Sequence, residues 1–167
     1  MWSVITIIVS FLISSLFGYV MHWVLHQKFS GRFNIAHIEH HMVLYPPDDY
    51  QSDVYRETTK NGAPVFFAIT AIPVIILPMV LCYLGLLSWH LMFIALAVMG
   101  IYGFLSNYLH DAFHIRNHWL NYVPIINMIF KRWTILHWIH HLFQQYNYGI
   151  YCFIFDRIFG TFRDTTD

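Results

Sequence analysis

WSVITIIVSFLISSLFGYVM, residues 2–21, runs without one charged side chain directly into HWVLH, residues 22–26. As a helix the first stretch is about 30 Å long at about 1.5 Å per residue, which matches a bilayer's hydrocarbon core. It predicts a membrane span. It also predicts that His22 and His26 emerge together from its end, because residues four apart share a helix face. A secretory signal needs a basic start and a small-residue cleavage site. Neither is present, so the span is expected to stay attached to its histidines.

Working outward, the same arrangement recurs. A second uncharged run covers residues 63–87 and a third residues 89–109, with a short hairpin turn between them. Pro73 and Pro78 predict that the second span is kinked or broken. Trp2, Trp23, Trp89 and Trp119 fall near predicted ends, as interfacial aromatics do. Residues 119–136 are apolar but interrupted by Asn121, Pro124, Asn127, Lys131 and Arg132. They predict an interfacial or re-entrant helix, since a fourth crossing would separate the histidines that follow from the others.

Of the chain's nine Lys and Arg, Lys28, Arg32, Arg56 and Lys60 lie between spans one and two, and the rest follow span three. By the positive-inside rule both regions are cytoplasmic. The 167 residues, 57% hydrophobic and 11% charged, are too apolar for an ordinary soluble domain. The expected fold is one all-α domain, residues 1–167: a multi-pass transmembrane helical bundle with a cytosolic, histidine-rich, metal-binding cap. A formal net charge of zero without a basic stripe excludes a nucleic-acid partner. Cys82 and Cys152 are expected at different depths, which argues against a disulfide and against a zinc-thiolate set.

Eleven of the twelve histidines fall into four clusters. They are His22 and His26; His37, His40 and His41 in HIEHH; His110, His114 and His118 in HDAFHIRNH; and His137, His140 and His141 in HWIHH. His90 stands apart as an interfacial polar residue. Continued helix through residues 110–118 would place His110, His114 and His118 in one stripe. Each cluster can aim two or three ring nitrogens at one point, so four of them can hold more than one metal. Neutral imidazoles suit Zn, Cu, Fe or Ni. Metal at a membrane surface has lipid as its nearest substrate, and oxidising an inert C–H bond favours iron. Glu39 and Asp111 are candidates to accept the second ring N–H of ligand histidines. Tyr108, Phe113, Tyr148 and Phe155 are candidate channel-lining residues, and the tail over residues 149–162 is expected to cap the site. A non-catalytic metal carrier is the rival class, but its ligands belong near the bilayer midplane.

These residues resemble the fatty acid hydroxylase superfamily of membrane enzymes, which includes lipid and sphingolipid hydroxylases, sterol desaturases and carotenoid hydroxylases. The resemblance runs from HWVLH through HIEHH, Asp111-x-x-His114-x-x-x-His118 and HWIHH. It ends in Asn147-Tyr148-Gly149 and the run from Asp156 to Thr161. It implies a non-haem centre of two Fe ions, with Zn as a possible substitute. The implied ligands are His22, His26, His37, His40, His41, His114, His118, His137, His140 and His141, with His110 less certain. It also implies O2 as co-substrate and hydroxylation, or less often desaturation, of a fatty acyl, carotenoid or sterol substrate. Electrons would come from a cytochrome b5-like or ferredoxin-type protein. The chain is short beside the larger members, so that donor is expected to be a separate protein.

Overall fold

The computed structural model describes residues 1–56 and 63–166, with the backbone alone over residues 63–69. Lys60, one of the basic residues used to orient the chain, lies outside the described residues. Among the described residues six α-helices follow one another: α1 Trp2–Leu25, α2 Arg32–Glu39, α3 Ala63–Tyr83, α4 Trp89–Phe113, α5 Ile126–Leu142 and α6 Ile154–Phe159. No strand occurs among the described residues, so the all-α expectation holds.

α1 and α4 are long and apolar enough to cross a membrane, and only 22% and 17% of their most apolar stretches are buried inside the protein. That rules against a soluble core helix, whose apolar face would be inside. The pattern is inverted here: Ser10, Ser14 and Ser15 face inward on α1, while Ile5, Ile8 and Val9 face outward. The two helices pack closely through Gly18 and two aromatic rings. A Cβ on Gly18 would meet the Tyr102 ring at 3.6 Å, and Phe11 meets that ring edge-on at 5.5 Å.

Of the kink or break expected in the second span, no break occurs: α3 runs through Pro73 and Pro78 as one helix. The turn to α4 passes through Gly85 at φ 71, a left-handed conformation that glycine adopts without steric cost. The stretch 119–136, expected to be an interfacial or re-entrant helix, is divided into two elements. A 3-10 turn, Trp119–Tyr122, precedes Pro124, and Ile125 at φ 69 breaks the chain before α5 begins. α5 then continues to Leu142, so HWIHH lies inside it rather than beyond it.

The stripe expected from His110 to His118 also fails. α4 ends at Phe113, and the Ser52 amide donates to the His114 carbonyl while the Arg116 amide donates to the Ser52 carbonyl, both at 2.9 Å. These bonds draw the chain out of the helix at Ile115. Beneath this turn Leu109, Ala112, Phe113, Leu120 and Phe130 form a small core between α4 and α5. Cys82 and Cys152 are both free.

Candidate metal centre

Nine histidines converge at the shared end of α1, α2, α4 and α5 in two groups. His22, His26, His37, His41 and His140 form the first; His40, His114, His137 and His141 form the second. Within each, one ring nitrogen per residue lies within 4.8 Å of all the others. In the first group the Nε2 atoms of His22 and His37 are 3.1 Å apart, those of His26 and His37 3.0 Å, and those of His26 and His140 3.1 Å. In the second, His137 Nε2 is 3.1 Å from that of His114 and 3.2 Å from that of His141. The groups adjoin where the His41 and His141 rings stand 4.1 Å apart.

Each HxxHH box is divided between the groups. From HIEHH, His37 and His41 serve the first and His40 the second; from HWIHH, His137 and His141 serve the second and His140 the first. Successive residues on a helix point about 100° apart, so adjacent histidines diverge. The chain makes a wider turn at residues His40–Leu44, closed by the Tyr45 amide on the His40 carbonyl at 2.9 Å.

The second ring nitrogens fix the direction of the first. His22 Nδ1 donates to the Tyr148 carbonyl at 2.7 Å, His140 Nδ1 to that of Tyr146 at 2.6 Å, His141 Nδ1 to that of Tyr45 at 2.7 Å and His114 Nδ1 to that of Tyr50 at 2.8 Å. A carbonyl only accepts, so these four rings carry their proton on Nδ1 and turn an Nε2 lone pair inward. The acceptors for these four rings are therefore main-chain carbonyls, not the expected carboxylates. Asp111 instead meets His110 Nδ1 at 3.3 Å.

Burial pushes His37, His40, His41, His114, His137 and His140 well below the ordinary imidazole range, with neighbouring imidazoles adding to the effect. It brings His26 down to about 4 and His141 to about 3. Converging neutral lone pairs repel one another unless a cation lies between them. His40 Nε2 is moreover buried without a hydrogen-bond partner. Nitrogens about 2.1 Å from one ion stand about 3.0 Å apart at right angles, close to the spacings found. The donor set thus fits a first-row cation in each group.

These shifts carry a pH consequence. Unfolded histidines take up protons below about 6.5, whereas the folded rings resist protonation down to about 3 to 4. The unfolded state binds more protons in that window, so stability is full above pH 6.5 and falls on acidification. Metal-free protein in detergent is expected to melt at steadily lower temperature from pH 7 to pH 4.5. A flat melting profile would contradict the neutral, buried rings.

His118 stands outside both groups, although the Asp111 motif implied it as a ligand. As the residue capping the turn Trp119–Tyr122, its Nδ1 accepts from the Leu120 amide at 3.3 Å, and its Nε2 pairs with the Tyr108 hydroxyl at 3.1 Å. His118→Ala is expected to keep its full metal content by elemental analysis; loss of one ion would return His118 to the ligand set. His110 lies nearer, with its ring 4.8 Å from that of His40 and 4.9 Å from that of His137. His90 is exposed at the start of α4, beside Ser88.

Asp156, fully buried, accepts from the Tyr148 and Gly149 amides at 2.7 and 2.9 Å and from the Thr161 hydroxyl at 3.0 Å. Asn147 ties the Leu136 and Arg163 carbonyls at 3.1 and 2.7 Å. The tail thereby sets the two carbonyls that aim His22 and His140. The sequence offers no sign of such carbonyls, because every residue type carries one.

A cavity of about 1020 Å³ opens onto both groups, reaching His22, His37, His40 and His110 at one end and Val74, Ile75, Leu96 and Met99 at the other. Of the expected channel residues only Tyr148 lines it. Phe113 is in the small core, Tyr108 accepts from Trp119 Nε1 at 2.7 Å, and Phe155 stacks on Phe159. Two histidine groups at one end of an apolar cavity, between helices that expose apolar side chains, agree with what the sequence resembles. No curated protein and no solved structure gives a match. Residues 7–161 match the family described as fatty acid hydroxylase, and the chain belongs to that family.

Proposed function

We propose that the protein is an integral, multi-pass membrane oxygenase with a non-haem di-iron centre on its cytoplasmic side, hydroxylating a lipid, most simply a fatty acyl chain. The observation that carries this reading is the cavity: its apolar end is walled by membrane-facing helices, and its other end meets both histidine groups. The overall change is R–H + O2 + two electrons + two protons → R–OH + H2O. The electrons come from a cytochrome b5-like or ferredoxin-type donor.

Two irons, when bound, supply the reductive activation of O2 that breaks an inert C–H bond. The chain's residues do the rest. Nine imidazoles would hold the metals, four tyrosine carbonyls orient the rings, and the walls from α1, α3 and α4 align an extended chain and exclude water. Zinc fits the same donors, and a carotenoid or sterol fits the same centre. A carrier is disfavoured because the groups cluster at the ends of α1 and α4, away from mid-span.

The test is metal removal. Membranes holding the iron-loaded protein, given O2 and a reductant-donor pair, are expected to yield a lipid heavier by one oxygen atom. Chelated protein should yield none, and adding back iron but not zinc should restore it. Equal yield with zinc, or none with iron present and donor turnover verified, would overturn the reading.

A further inference from the structure

A second pocket, of about 380 Å³, opens between α5 and α6 and shares no lining residue with the large cavity. Its walls are Trp133 on α5, Phe153 and Ile154 at the start of α6, and Phe162 beyond its end. Arg132 and Arg157 complete it, one from each helix, and both are exposed. The Arg157 guanidinium lies over the Phe162 ring at 3.7 Å, a contact to a ring face rather than to an acceptor oxygen. Arg132 already holds one anion: its Nη2 donates to Asp164 Oδ2 at 3.3 Å, with both side chains about half exposed. The tail carboxylate thus marks where a negative charge sits on this rim, and a pair so exposed is weak enough to exchange.

The depth of the pocket follows from α1. The Tyr19 ring stacks on Phe159 at 5.2 Å, and the Thr161 and Tyr19 hydroxyls are 3.2 Å apart. Tyr19 is two residues from the end of the uncharged run over residues 2–21. α6 therefore lies where hydrocarbon gives way to head groups. Ile154, Ile158 and Phe159 are exposed on it beside Arg157, the mixture of apolar and cationic side chains that suits an interfacial segment.

We propose that this pocket binds an anionic phospholipid: the phosphate is held between Arg132 and Arg157, and the glycerol and first methylenes lie on Trp133, Phe153 and Phe162. A guanidinium presents a planar fork of N–H donors that pairs with phosphate oxygens two at a time. Two such forks favour a head group with net negative charge over a zwitterionic one, whose ammonium faces the same arginines. Asp164 gives way to the lipid. Once bound, the lipid ties α5 to the tail that carries Tyr148 and Asp156. This inference rests on the membrane placement in the proposed function, not on its oxygen chemistry.

The test places the full-length, metal-loaded protein in phosphatidylcholine nanodiscs containing a minority of phosphatidylglycerol. Lipid that stays with the protein on mild transfer to detergent is counted by native mass spectrometry. Phosphatidylglycerol should be retained about twentyfold above its share of the bilayer. Arg132→Gln and Arg157→Gln should each lower this about fivefold, the effect of one cation beside an anionic head group. Asp164→Asn should raise it. Arg116→Gln, which removes an exposed arginine beside Asp53 that does not line the pocket, should leave it unchanged. In detergent, added phosphatidylglycerol should raise the melting temperature of the unaltered protein but not of the Arg132→Gln, Arg157→Gln double variant. Metal content checks that each variant is folded. Retention in proportion to bilayer share, or an equal loss in Arg116→Gln, overturns the site. Stabilisation of the same size by inorganic phosphate alone overturns the lipid as its occupant. Protein that stays in solution without lipid or detergent sinks the membrane reading along with the site, whereas reconstituted protein that ignores head-group charge sinks the site alone.

Discussion

His137→Ala is expected to abolish lipid oxidation and to lower bound iron to no more than one ion per chain. His137 Nε2 lies between those of His114 and His141, at 3.1 and 3.2 Å, so its loss opens the middle of a four-nitrogen set. The methyl left behind donates nothing, and the pocket is too buried for bulk water to replace the ring freely. Loss of activity below about one-thousandth is the expected scale for a missing metal ligand in a metal-dependent reaction. Elemental analysis and product mass spectrometry on the same preparation decide it. Full iron with full turnover would remove the second group from the site.

Asp156→Ala carries the largest expected loss of stability. It strips the acceptor from two buried amides and a hydroxyl at once, each costing about 1–3 kcal/mol when left unmade. The sum is about 3–9 kcal/mol, or a melting shift on the order of 10–30 °C. The loss should spread to the metals, because the released Tyr148 carbonyl no longer aims His22. Asp156→Asn, which keeps one carbonyl oxygen, should be milder in both respects. A variant that melts normally and binds full metal would show that the tail is held by other contacts. Gly149 constrains the same corner: a Cβ there would collide with the Cys152 carbonyl and stand 2.8 Å from Asp156 Oδ2.

The histidine clusters were legible in the sequence because ligating ability is a property of side-chain type, and the first and third spans because twenty uncharged residues leave few alternatives. What was not legible depends on backbone partners distant in sequence. Ser52 ends α4 by bonding around Ile115, and that capture takes His118 away from the groups its spacing implied. The break before α5 was signalled by Pro124, but the interruption reads equally as an interfacial helix. The ring-orienting carbonyls were invisible for the same reason: Tyr45, Tyr50, Tyr146 and Tyr148 contribute through main-chain atoms that any residue shares. Carboxylates were expected there because they are the acceptors a sequence displays.

The reciprocal division of the two HxxHH boxes would make the loading of two metals cooperative. Each box contributes two nitrogens to one group and one to the other, so an ion that settles the first group fixes the helix carrying a donor of the second. The ordering cost of each box is met once but benefits both ions, a positive coupling free energy between neighbouring sites. Half-filled molecules are thereby disfavoured. The proposed two-electron centre would thus spend little time in a one-metal form that could leak electrons singly.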